Sequence, residues 1–437
     1  MEWQLALLVI IGGSLLLMLT GMPVAFCFLL IGVIGSFVFF GGEIGLHLMV
    51  SSLRASLTLF SLLPVVLFIL MGEVMFHSGI APRLIDALDK WIGHLPGRLS
   101  LEAIAGGTVF STLTGTSIAS TAMLGELLVP EMEKRGYKKS MSLGPILGSG
   151  GLAMMIPPSS LAVLAGALAT VSIGRTLIGI VIPGLLMATL YAIYTIVRCR
   201  LQPQLAPPYD LPPVSLEEKL LTFTKYILPL VGIVFMVTGV IILGIATPSE
   251  AAATGCVGVF ILVACYGKLT WQTIKKSMVG TVTVAVMILT VISASRVFTH
   301  ILAYSGGARG MIDYTLGLDL EPIFVILAMQ FIVLIMGMFM GVVSIMMIVL
   351  PIFMPIVTVM GFDPVWFLVI FLLNIEMGTT SPPVGMSLYV MKGVAPPDTT
   401  MGDVYRAALP YLGCDLIIMV LLITFPSLVL WLPGLMR

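Results

Sequence analysis

Two proline pairs, Pro157-Pro158 and Pro382-Pro383, stand inside long apolar runs, each preceded by small and hydroxyl residues. Proline has no N–H and crowds the turn before it, so each pair must interrupt a helix. Backbone released from helical pairing survives in a bilayer only where it is buried in protein or lines a water-filled cavity. Freed carbonyls and hydroxyls offer a hard oxygen shell to a cation such as Na⁺. A half-helix N-terminus offers N–H groups and partial positive charge to an anion.

This chemistry picks out two candidate cation sites. The first joins Thr114, Gly115 and Ser117, in the bend Thr114-Gly115-Thr116-Ser117, to Ser149 and Gly150 ahead of Pro157. The second joins Gly341 and Ser344 to Gly378, Thr379 and Thr380 ahead of Pro382. Thr116, Ser120, Asn374 and Ser381 are the substrate-binding candidates. Small residues could instead serve only close helix packing, but two clusters at matched places favour ligand binding. Ionisable residues inside apolar spans are functional candidates by default. Glu73 and Arg296 occupy corresponding places, and a paired structural charge is an equal expectation for both. Glu376 adjoins the second break and is favoured for function. The chain has no CxxC, no HExxH and no converging nucleophile and base. Neither an enzyme nor a resident cofactor is therefore expected, and no metal other than Na⁺. The five cysteines read as packing residues, and a net charge of zero gives no case for nucleic acid.

The elements that must position these residues are membrane helices. Hydrophobic residues make up 59% of the 437-residue chain and charged residues 10%, against about a quarter charged in soluble domains. Apolar runs of about 20 residues recur, each long enough to span. The first 53 residues carry no Lys or Arg, so a mature first helix is expected rather than a signal peptide. The reading is an all-α polytopic membrane protein with two inverted-topology repeats, each holding a re-entrant helical hairpin and an interrupted membrane helix. The first repeat covers 1–200: scaffold helices in 1–77 (the third starting near Leu57), an interfacial segment at 81–97, a hairpin at 98–130, a broken helix at 138–170 interrupted around Gly148–Pro158, and a helix at 176–198. A proline-rich cytoplasmic linker, 201–222, follows. The second repeat covers 223–437, with spans near Tyr226–Leu243, Ala251–Tyr266, Met278–Ile301 and Leu412–Leu432, a hairpin at 320–355 and a broken helix at 364–390.

The repeat itself rests on uncommon residues. An offset of 225 places Pro23 on Pro248, Pro130 on Pro355, Gly136 on Gly361, Ser149 on Asn374 and one Pro-Pro pair on the other. Five crossings before the linker would bring the second half into the membrane upside down. With the first hairpin open to the cytoplasm, sixteen Lys and Arg fall inside and four outside, as the positive-inside rule asks. The N-terminus is then periplasmic.

The chain resembles the large membrane subunit of tripartite ATP-independent periplasmic (TRAP) transporters. The stretches that carry this are GTSIAST (115–121), LVPEMEKRGY (128–137), GLAMMIPPSS (151–160), ATPSEAAATG (246–255), LPIFMP (350–355) and TTSPPVGMSLYV (379–390). The hairpin tip GVVS and Glu376 depart from the usual pattern. The resemblance implies Na⁺-driven uptake of an organic acid, a C4-dicarboxylate or a sugar acid such as sialic acid, in a bacterial inner membrane. It implies a periplasmic substrate-binding protein and a small four-helix membrane subunit as partners. It also implies an elevator, in which hairpins and broken helices move against a scaffold. The alternative is a stand-alone Na⁺-coupled dicarboxylate carrier.

Overall fold

The computed structural model describes residues 3–39, 41–59, 62–93, 95–114, 117–207, 215–318 and 320–436, the side chains at 81 and 111–114 excepted. All regular structure among them is helical. Among the described residues seven helices are long and apolar enough to cross a bilayer, and Lys139–Met155 with Ser160–Leu168 forms a further pair bent by 47°.

Two element series run in the same order. The first is Trp3–Leu19, Val24–Phe39, Glu43–Leu57, Leu63–His77, a short helix Ala81–Ile92, and a hairpin of Arg98–Thr114 and Ser117–Lys134. It continues with the first broken helix (Gly144–Met155, then Ser160–Leu168) and Ile173–Leu201. The second is Leu216–Ile242, Pro248–Cys265, Trp271–Tyr304, a short helix Gly307–Gly317, and a hairpin of Pro322–Phe339 and Val342–Val359. The second broken helix (Pro364–Thr380, then Met386–Val394) and Met401–Thr424 complete it. One difference has a local cause. Pro64 opens a new helix in the first series, as proline does at a first turn. Leu289 stands at that offset in the second, where Trp271–Tyr304 runs unbroken.

Several expected boundaries need correction. Glu43–Leu57 was not expected as a helix, because Glu43, His47 and Arg54 dilute its hydropathy. Gly307–Gly317 was missed for the same reason, being rich in Gly and charge. The hairpins run past Pro130 to Lys134 and past Pro355 to Val359, since an internal proline removes only one ladder bond and can be absorbed as a kink. The linker ends at Ser215, whose hydroxyl accepts the Glu218 N–H at 3.1 Å and starts the next helix. The last long helix starts at Met401 instead of near Leu412. There Thr400 and Asp403 form a reciprocal capping box.

The two broken helices are the core. Every residue of Gly144–Met155 and of Val365–Thr380 is buried. The other helices turn large apolar side chains outward, Leu19, Phe235 and Trp271 among them, as a lipid-facing surface requires. Ion pairs hold the ends of the core. Lys139, at the start of the first broken helix, lies 2.7 Å from Asp398, after the second. Asp363, at the start of the second, lies 3.4 Å from Arg175, after the first. The hydrogen bond from Lys139 holds the exposed Asp398 carboxyl below its usual range.

Candidate functional site

Each break is made by the residue before its proline pair. A residue preceding proline is pushed out of the helical region. Ile156 (φ −118°, ψ 119°) and Ser381 (φ −89°, ψ 135°) are accordingly extended, and both Pro-Pro bonds are cis. The first chain re-enters a helix at Ser160, with the Ser159 hydroxyl accepting the Ala162 N–H at 3.3 Å. The second re-enters at Met386. Each break therefore sets the carbonyl end of one half-helix beside the N–H end of the next, with partial charges suited to a cation and an anion respectively.

The interruption lies later than the sequence suggested. Gly148, Ser149, Gly150 and Gly151 belong to the intact half-helix Gly144–Met155. Asn374, Glu376, Gly378, Thr379 and Thr380 likewise belong to Pro364–Thr380. Helical hydrogen bonding continues until a proline withholds its N–H, so the breaks fall at 156–159 and 381–385. The glycines let neighbours approach instead. A Cβ built on Gly107 of the first hairpin would strike Ser149. One on Gly150 would strike Thr121 Oγ1 and come within 3.3 Å of the Ser117 carbonyl. One on Gly378 would lie 2.6 Å from the Cα of Gly337. Each hairpin is thus seated, backbone close to backbone, on its own broken helix.

The first candidate set is brought together in part. Ser117, Ser149 and Gly150 converge at this contact, whereas Gly115 and Thr116, and the side chain of Thr114, lie outside the described residues. Ser117 also reaches across to the other half: its hydroxyl donates to Glu376 Oε2 at 2.6 Å. Thr379 donates to the carbonyl of Glu376 at 2.9 Å and to its Oε1 at 3.3 Å. A Cβ on Gly151 would come within 2.7 Å of the same carboxyl group.

The second set is drawn differently from expectation. Gly337, rather than Gly341, faces Gly378. Gly341 and Ser344 border a cleft of about 550 Å³ shared with Met18, Pro23, Ala25, Thr290 and Met347. The helix of Gly337 ends at Phe339 and the backbone is extended at Met340 and Gly341, so Gly341 lies at the tip, where a Cβ built on it would come within 3.2 Å of the Met386 side chain. Thr380 bonds to the carbonyls of Glu376 and Met377, each at 3.2 Å, and borders a cavity of about 10 Å³ with Gly148, Gly151, Glu376 and Asp415.

Among the substrate candidates, Ser120 is fully buried in the first hairpin. Asn374 donates to Gln330 Oε1 at 2.8 Å and to its carbonyl, clamping the second hairpin. Ser381 bonds to the Met377 carbonyl at 2.7 Å. Glu73 takes a structural place: His77 Nε2 lies 3.2 Å from its carboxylate, Ser277 donates to its carbonyl at 3.1 Å, and Gly280 packs on it. Arg296 is half-buried and makes no ion pair among the described residues.

Thr121, Gln330, Asp415 and Tyr191 escaped the sequence reading. Asp415, buried and hydrogen-bonded by Tyr191, carried a usable signal as an acid in an apolar run. Thr121 and Gln330 gave none that separates them from ordinary polar residues.

Residues 11–428 match the family described as tripartite ATP-independent periplasmic transporter, DctM component. The chain is 31% identical over 378 residues, 86% of each chain, to the C4-dicarboxylate TRAP transporter large permease protein DctM of Pseudomonas aeruginosa. It is 30% identical over 446 residues, 98% of this chain and 99% of the other, to the protein so described in Rhodobacter capsulatus. Among solved structures, the YdaH transporter of Alcanivorax borkumensis superposes with a TM-score of 0.67 at 16% identity, covering 89% of this chain and 90% of that one.

Proposed function

The chain belongs to the DctM-component family of tripartite ATP-independent periplasmic transporters, and from that membership we propose that it is the membrane path for Na⁺-driven uptake of an organic acid. C4-dicarboxylates and sugar acids are the substrate class; the first finds support in the names of the two relatives. A periplasmic binding protein delivers the substrate, and a small membrane subunit completes the complex. The setting is the bacterial inner membrane, with a periplasmic N-terminus and the two halves inserted in opposite senses.

One observation carries the mechanism: each of two hairpins is seated through glycine on a helix broken at a Pro-Pro pair, and the Ser117–Glu376 hydrogen bond ties the first hairpin to the second broken helix. Helix breaks in matched halves are a plan of secondary transporters, with ligands held near mid-membrane. Na⁺ is cargo here. The carbonyl ends at Met155 and Thr380, with the hydroxyls of Ser117, Thr379 and Thr380, are the oxygens offered to it. The N–H ends at Ser160 and Met386 suit a substrate carboxylate. Hairpins and broken helices travel as one body against the scaffold, and the cleft between Ala25 and Ser344 lies along the boundary between them.

The test is reconstitution of the chain with its two partners in liposomes under an inward Na⁺ gradient, following labelled succinate and sialic acid. Uptake that needs Na⁺, the binding protein and the small subunit is expected. Uptake by this chain alone would favour a stand-alone carrier, and uptake indifferent to Na⁺ would overturn the coupling.

A further inference from the structure

Glu376 is 2% exposed in the middle of the core, and no Lys, Arg or His forms an ion pair with it among the described residues. Its two oxygens receive only neutral hydroxyl donors, Ser117 from the first hairpin and Thr379 from its own helix. Arg175, Lys392 and Arg406 lie on other helices packed against this one, and none of them forms an ion pair with Glu376. The helices 144–155, 160–168, 322–339 and 342–359 contain no basic residue. From 401–424 the residues beside it are Tyr411 and a second buried acid, Asp415, which border the same cavity of about 10 Å³. An ionised carboxylate enclosed this way costs several kcal/mol unless a positive charge accompanies it.

A second, independent feature lies one turn along the hairpin. Thr121 is fully buried, and among the described residues its Oγ1 has no hydrogen-bond partner. Buried hydroxyls are ordinarily satisfied, so an orphan calls for a ligand or other explanation. It abuts Gly150, next to the Ser117 carbonyl, while the neighbouring Gly151 abuts Glu376. One Gly-Gly step thus has an unpaired hydroxyl and a carbonyl on one residue, and an unneutralised carboxyl on the next. All are hard oxygens, the donors an alkali cation takes.

We infer that the coupling cation is held by a shell drawn from both halves, with the Glu376 carboxylate as its anionic ligand and Thr121 and Ser117 as its neutral ones. This rests on the Na⁺-coupled reading above and deepens it. The site is then more than a set of backbone dipoles: a fixed negative charge at the crossing of the broken helices neutralises the ion. Because Ser117 belongs to the first hairpin and Glu376 to the second broken helix, the bound ion also ties the two halves of the moving body together.

The experiment reads Na⁺ binding without transport: thermal stabilisation of the purified protein by NaCl, with choline chloride holding ionic strength. Glu376→Gln keeps the shape and the ability to bond Ser117 but removes the charge. Its half-stabilising Na⁺ concentration is expected to rise about tenfold or more, the scale on which loss of partners weakens metal sites. Thr121→Val removes the orphan oxygen. It should leave the Na⁺-free melting temperature unchanged or raised, and still weaken the Na⁺ response. A purely structural role predicts a wild-type Na⁺ response in both variants, and that result would overturn the inference. If Glu376→Gln does not fold, a wild-type response of Thr121→Val overturns it alone. A wild-type protein that itself ignores Na⁺ would instead bring down the Na⁺-coupled reading from which the inference starts.

Discussion

Gly151 and Glu376 face each other where the two broken helices cross, and they are related by the same 225-residue offset that aligns the two Pro-Pro pairs. Tyr191 and Asp415, hydrogen-bonded to each other, stand 224 residues apart. The second pair falls one residue short of that offset; contacts at or near one offset are what two units related by an approximate two-fold axis would produce. At such a point two equivalent side chains compete for one space. Here the first half supplies the smallest residue and the second a carboxyl, so the crossing is close on one side and polar on the other.

Gly151→Val should therefore be poorly tolerated. A Cβ at this position already comes within 2.7 Å of the Glu376 side chain, and overpacking a core costs about 1–3 kcal/mol. The melting temperature of the purified variant should fall, and Glu376→Ala in the same chain should restore part of it, because neighbouring sites couple. A Gly151→Val protein as stable as wild type would contradict the crossing.

Gly378→Ala gives a prediction opposite in sign to helix propensity, which favours alanine by about 1 kcal/mol. The new methyl would sit 2.6 Å from the Gly337 Cα, and backbone cannot rotate away. Destabilisation is expected. Gly393→Ala, where nothing lies within 4 Å of the added carbon, is the control and should be neutral or stabilising. Melting curves of the two variants, compared side by side, decide it.

Ser117→Ala and Thr380→Ala should each raise the Na⁺ concentration needed for half-maximal uptake in proteoliposomes. Thr380 offers its hydroxyl at the carbonyl end of the second broken helix, and Ser117 offers its own from the first hairpin, bonded to Glu376. Na⁺ dependence unchanged in both variants would sink the assignment of these residues to ion sites.

Ala25 and Ser344 border the same cleft, one on a scaffold helix and the other at the tip of the second hairpin. Cysteines at these two places, oxidised to a crosslink, should stop uptake, and a reductant should restore it. Full transport while crosslinked would argue against a hairpin that moves past the scaffold.

Much of the plan was legible from proline and glycine, because their effects are local. Pro157-Pro158 and Pro382-Pro383 interrupt helices whatever surrounds them, and their common offset pointed to two element series in the same order. Local signals misled where a proline is absorbed, as at Pro130 and Pro355, and where charge dilutes a helix, as in Glu43–Leu57. They also placed the first break several residues early, since glycines in Gly148–Gly151 look like breaks but are helical.

The sequence by itself determined the membrane setting, the paired hairpins and interrupted helices, and which residue types surround each break. Composition, periodicity and proline stereochemistry act along the chain and need no partner. Tertiary structure alone decided which residues meet. Ser117 bonds to Glu376 across 259 positions, Asn374 holds Gln330, Gly337 rather than Gly341 receives Gly378, and Thr121 has no partner among the described residues. These depend on how helix faces rotate and cross when the halves pack, which no local pattern encodes.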